Sequence, residues 1–146
     1  MVIQTRIREL YVEAVEIRVL SSSVKGIPAQ VLYGPSRKRC HMLLRYDGRE
    51  VHAAADDYFE ALVTIRRQLE AQGLIPVCYG ASRNVFPSGM CRDMGAGLQA
   101  YKFALGRKPT MDDLVLILST GPDIEPATVE EQRMFFESWL DSVGVK

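Results

Sequence analysis

The spacing of apolar and polar positions predicts a strand-rich beginning and a mixed remainder. Segment 11–20 carries two patterns at once. Ile7, Leu10, Tyr11, Ala14 and Ile17 fall on a helical stripe, whereas Val15, Ile17 and Val19 alternate with Glu16 and Arg18 as a strand would. Four β-branched residues between Val12 and Val19 favour the strand. Residues 29–33 read as a short strand closed by Gly34-Pro35, and residues 40–46 as another. Asp47-Gly48 then joins 40–46 to 49–53, because Asp-Gly supplies the positive φ of a two-residue type I′ hairpin. Together these segments predict an antiparallel meander.

A helix is predicted next, over 58–72. Asp57 can cap it, and Glu60 three residues on completes a capping box. Tyr58, Leu62, Ile65 and Leu69 form its apolar stripe, widened by Phe59 and Val63, with Arg66, Arg67 and Glu70 off the stripe. Gly73 ends it. Residues 74–79 read as an edge strand, since Pro76 cannot donate a ladder hydrogen bond. Residues 98–105 read as another strand, with Tyr101, Phe103 and Leu105 on one face. Thr110 and Asp113 then begin a helix over 111–119, stopped by Gly121-Pro122. Thr128 and Glu131 form a capping box for a last helix to about Val143. Its Phe135, Phe136, Trp139, Leu140 and Val143 exceed one narrow stripe, so the helix either sits deep or meets a partner. The expected fold is a single α+β domain over 1–146: a largely antiparallel sheet, a central covering helix and two C-terminal helices.

Composition supports a globular chain: of 146 residues, 47% are apolar and 25% charged. The longest apolar run, 114–118, is five residues, far short of the ~18 that span a bilayer. The first residues lack the charged-then-apolar pattern of an export signal, so a cytoplasmic location is expected. Eighteen basic and eighteen acidic side chains cancel, which argues against nucleic acid as the partner. The charge is nonetheless polarised. Residues 1–108 hold sixteen Lys or Arg and ten Asp or Glu (+6), and residues 109–146 hold two basic and eight acidic residues (−6). Such an end either faces water or docks a basic partner.

No catalytic set emerges. The stretch 78–97 gathers Ser82, Arg83, Asn84, Ser88, Arg92 and Asp93 among glycines after a predicted strand, a setting in which loops often carry function. It contains no G-x-x-x-x-G-K-[ST] and no complete dinucleotide fingerprint. The plainer reading is that its glycines only turn the chain, with Arg92 and Asp93 in a local ion pair. Cys40, His41, His52, Cys78 and Cys91 lack the short paired spacing of a zinc site, and Cys40 and His41 point to opposite faces of one strand. A Cys78–His52 pair rests on composition alone. No metal and no cofactor are expected. Arg37-Lys38-Arg39 beside Tyr33 and Tyr46 forms a small basic and aromatic patch, read as a solubilising hairpin end or, as a weaker alternative, an RNA contact.

The stretch Val77-Cys-Tyr-Gly-Ala-Ser-Arg-Asn-Val-Phe-Pro-Ser-Gly-Met-Cys-Arg-Asp-Met-Gly, continued by Ala100-Tyr-Lys and Leu105-Gly-Arg, resembles a family of small bacterial proteins from polymorphic toxin loci, including type VI secretion and Rhs loci. The likeness spans residues 59–136. It implies an immunity protein, a cytoplasmic binder that neutralises a cognate toxin, and it brings no catalytic motif; the −6 end, read separately, suits a toxin with a basic surface. The residues expected to meet that partner are Ser82, Arg83, Asn84, Ser88, Arg92, Glu130, Glu137 and Trp139. The alternative is a small enzyme or ligand-binding domain built on the 82–92 loop.

Overall fold

The computed structural model describes residues 13–21 and 26–145. Residues 11 and 12, where the ambiguous segment begins, and 22–25 of the following turn lie outside the described residues, as does the chain start read for an export signal.

Five antiparallel strands form the main sheet: β1 (Glu13–Ser21), β2 (Ile27–Ser36), β3 (Arg39–Tyr46), β4 (Arg49–Ala55) and β5 (Leu74–Val77), in the order β4-β3-β2-β1-β5. The strand reading of 13–20 holds. Asp47 and Gly48 both have positive φ and join β3 to β4, as the turn chemistry predicts. Pro76 lies in β5, at the edge. Gly34-Pro35 does not close β2, which runs on to Ser36 opposite Arg39.

Helix α1 (Tyr58–Glu70) covers one face of this sheet, with Tyr58, Phe59, Leu62, Ile65 and Leu69 buried against Val31, Met42 and Leu44. Asp57 caps it by accepting from the Glu60 amide at 2.8 Å. The reciprocal half of the expected capping box is absent, because the Glu60 carboxylate pairs with Arg92 instead. Arg66, expected off the stripe, is buried.

The second half builds a smaller antiparallel sheet from β6 (Val85–Phe86), β7 (Gln99–Lys102) and β8 (Leu114–Leu116), ordered β6-β7-β8. Val85, Ala100 and Ile117 join the same core as the first sheet. A short helix α2 (Gly89–Gly95), unanticipated from sequence, is capped by Ser88 and ends on Ala96 in the left-handed region. The expected helix 111–119 is not formed. Thr110 and Asp113 make a reciprocal capping box, but it serves only a 3₁₀ turn, Met111–Asp113. The apolar run behind it pairs instead with β7, Leu116 lying opposite Gln99. A β-branched apolar run beside an available strand edge gains more by pairing than by continuing a helix. The strand read over 98–105 is limited to β7, and Leu105 is exposed beyond it. Helix α3 (Val129–Ser142) closes the fold behind the complete capping box of Thr128 and Glu131. Among the described residues no helix is long and apolar enough to cross a membrane.

The β2–β3 connection is also a two-residue turn, but Arg37 and Lys38 occupy its positive-φ positions at 51° and 63°. A side chain there costs energy that glycine avoids. Lys38→Gly is therefore expected to stabilise the fold by about 0.5–1 kcal/mol. Urea denaturation checks this: a midpoint at or below that of the parent contradicts it.

Candidate functional site

The 78–97 stretch is organised from beneath by a buried polar pair. Arg66, on α1, is 1% exposed, and so is Gln132 on α3. Arg66 Nη1 donates to Gly80 O at 3.1 Å and to Gln132 Oε1 at 2.6 Å, while Nη2 donates to Ala127 O at 3.0 Å. Gln132 Nε2 donates in turn to Gly80 O at 3.0 Å and Ser82 O at 2.9 Å. Burial lowers the Arg66 pKa to about 10, with Cys78 and Glu70 acting in the opposite direction. The guanidinium still carries its charge at neutral pH. Glu70, one turn further along α1, accepts from the Val129 amide at 2.8 Å and so satisfies the first turn of α3. Gly80 sits where a Cβ would meet Leu62 Cδ2 at 2.5 Å and Ile117 Cβ at 2.9 Å, which is why the chain needs glycine there.

Most of the residues singled out from sequence serve this framework. Ser82 is buried: its Oγ donates to Asn84 Oδ1 at 2.8 Å and accepts from the Glu125 amide at 2.9 Å. The Asn84 carbonyl accepts from Phe103 N at 2.7 Å. Ser88 accepts from the Cys91 amide at 3.0 Å as the α2 cap. Arg92 does not pair locally with Asp93. It reaches α1, bonding Asp57 Oδ2 at 3.0 Å and Glu60 Oε1 at 2.8 Å, and lies over the Phe59 and Phe86 rings. Trp139 is 8% exposed and donates its indole N–H to Arg107 O at 2.8 Å. With Phe86, Phe103 and Phe136 it forms an aromatic cluster between α3 and the second sheet; Phe86 and Phe136 stack at 4.2 Å. Of the excess apolar residues of α3, Trp139 is buried, and Phe135, Phe136, Leu140 and Val143 are half-buried.

Three of the eight remain at the surface: Arg83, Glu130 and Glu137. The structure brings Arg83 onto α3, with its guanidinium 4.6 Å from the centre of the Phe135 ring. A cleft of about 210 Å³ opens there, lined by Arg83, Glu131, Met134, Phe135 and Ser138. Arg133 bridges Glu130 and Glu137 along the same helix, contacting Glu137 Oε1 at 2.7 Å. Its proximity holds the Glu130 carboxyl below the usual range. Other acidic residues of the −6 end have local partners: Asp113 completes the Thr110 box, and Asp123 bonds Tyr79 and Lys102. Sequence reasoning missed the Arg66–Gln132 pair and the exposed methionines, Met90 and Met94 on α2, Met111, and Met134 beside the cleft.

A broader groove of about 990 Å³ lies on the main sheet's other face, near the β3–β4 turn, and involves Arg18, Gln30, Arg45, Arg49, Glu50 and Thr120. Arg45 pairs there with Glu50 at 3.0 Å. The groove contains none of the eight residues. Cys78 is fully buried, and burial raises its thiol to about 11, so it is neutral at physiological pH. His52 is exposed on the sheet face opposite the core, which separates it from Cys78. Among the described residues no group of three or more His, Cys, Asp or Glu is placed to hold a metal ion.

No family model and no curated protein matches this chain.

Because Trp139 belongs to the interior cluster, Trp139→Ala is expected to lower stability by about 3–5 kcal/mol. Met134→Ala, at an exposed position, should change it by less than about 0.5 kcal/mol. Chemical denaturation of the two variants measures the difference, and equal midpoints would contradict it.

Proposed function

We propose that this protein is a cytoplasmic immunity protein, a binder that captures and neutralises a cognate toxin. The observation that carries the reading is the meeting of Arg83 with Phe135. The two regions that sequence marks separately, the 82–92 loop and the acidic helix, meet in one exposed surface around this pair. An arginine lying on a half-buried aromatic ring is the kind of anchor on which interface energy concentrates. Met134 beside it offers an adaptable apolar contact, and Glu131 adds negative charge to the same cleft. The resemblance of 77–95 to immunity proteins of toxin loci supports the same reading. A toxin that grips nucleic acid would present the basic surface such a helix attracts. A ligand site built on the 82–92 loop is the weaker reading, since Ser82 and Arg92 are committed to internal hydrogen bonds.

The test is co-expression with the toxin encoded beside this gene. The toxin alone should arrest growth, and this chain should restore growth and co-purify with it. Phe135→Ala should retain the fold and weaken the complex by about 2 kcal/mol, mainly through faster dissociation. Glu130→Lys with Glu137→Lys should slow association and reduce its dependence on salt. A harmless neighbouring gene product, or a complex indifferent to all three changes, defeats the reading.

A further inference from the structure

The groove of about 990 Å³ on the main sheet's other face shares no lining residue with the cleft at Arg83 and Phe135. Strand register builds it. Val77, Arg18 and Pro28 lie opposite one another across β5, β1 and β2, and Gln30, Arg45 and Glu50 do so across β2, β3 and β4. Pro28 and Gln30 are two residues apart on β2, so the two rows are neighbours on one face. Arg49, the first residue of β4, and Thr120 border the same groove.

Three guanidinium groups therefore line one concavity, and few of their donors are taken. Arg18 Nη1 donates to Gly26 O at 2.7 Å. Arg45 Nε donates to Glu50 Oε1 at 3.0 Å, which offsets the Glu50 charge and leaves both Arg45 Nη groups over. Among the described residues the Arg49 side chain makes no hydrogen bond and no ion pair, and both Arg18 and Arg49 are exposed. A guanidinium offers five N–H donors in a planar fork that fits phosphate oxygens two at a time. The Gln30 amide and the Thr120 hydroxyl, both exposed, add uncharged donors.

We propose that this groove binds a small anion bearing two or more phosphoryl groups, of the size and class of a nucleoside triphosphate. Arg18 and Arg45 stand on strands separated by β2, about 10 Å apart at ordinary strand spacing. A chain of phosphoryl groups suits that span better than a single one. The groove lies near the upper end of the roughly 300–1,000 Å³ of small-molecule sites, which leaves room for a ribose and base against Pro28 and Val77. A nucleic acid strand is the lesser candidate, because the whole chain carries no net positive charge. With its arginines at the surface, the site binds in a salt-dependent way.

The experiment uses the full chain. ATP and AMP are titrated by calorimetry at low salt, and backbone amide resonances of the parent are followed by NMR. ATP is expected to bind with one equivalent, AMP at least about fivefold more weakly, and the shifts to centre on Arg18, Arg45, Arg49 and Thr120. Arg49→Gln removes a side chain without internal contacts, so the fold should stay and ATP binding weaken at least about fivefold. Arg49→Lys should recover only part of that loss, since it restores the charge without the fork. Lys108→Gln removes the same charge outside the groove and should change binding by less than about twofold. An Arg49→Gln variant no weaker than Lys108→Gln overturns the proposal, as do AMP binding as tightly as ATP, no binding of ATP, and parent shifts centred elsewhere. A short single-stranded RNA that binds more tightly than ATP at the same salt overturns it in favour of nucleic acid.

Discussion

A positive charge in the interior constrains the rest of this structure. Arg66 cannot be taken out of water unless its protons find acceptors, and an uncompensated buried charge costs several kcal/mol. Here the acceptors are neutral: the carbonyls of Gly80 and Ala127 and the side-chain oxygen of Gln132. Each lies in a different segment. Satisfying one guanidinium therefore sets the mutual placement of α1, the 3₁₀ turn Tyr79–Ala81, the approach to α3 and α3 itself. Gln132 adds the Ser82 carbonyl to the same network. The guanidinium Nε is buried without a hydrogen-bond partner, so the network is not fully relaxed.

The exposed surface follows from this interior arrangement. Ser82 is held from below by Gln132 and from the side by the Glu125 amide, and the next residue, Arg83, is thereby directed over α3. Its amide donates to the Glu125 carbonyl at 2.8 Å, which fixes the backbone from which it projects. On α3, Trp139 and Phe136 fill the space against the second sheet and leave Phe135 to meet Arg83. The proposed anchor is thus preorganised, and a preorganised surface loses less entropy on binding.

Local chemistry made the scaffold legible. The Asp47-Gly48 turn, the Asp57 and Thr128 caps and the apolar stripe of α1 all act within a few residues. Elements decided by competition were not legible. The Thr110–Asp113 box signals a helix start, yet β7 drew the following residues into a strand. Ser88 and the glycines around α2 gave a capping signal that a glycine-rich stretch disguised. Arg66 lies four residues after Leu62 and three before Leu69, on the buried side of α1, and its charge obscured that spacing. Gln132 likewise lies between Val129 and Phe136 on the inward side of α3. Of the candidate site, the separate regions were visible, but the contact of Arg83 with Phe135 depends on tertiary packing that spacing does not encode. The same holds for Arg18 and Arg45, which share a groove only through strand register.

The central claim is that Arg66 and Gln132 act as one unit. A double-mutant cycle by urea denaturation, with Arg66→Met, Gln132→Leu and the pair together, tests it most directly. Each single change leaves buried polar groups of the other partner unsatisfied and should lose about 2–4 kcal/mol. The double variant should lose less than the sum of the two by about 1 kcal/mol or more, because the partners no longer strand each other. Additive losses, or an Arg66→Met variant as stable as the parent, would contradict the claim.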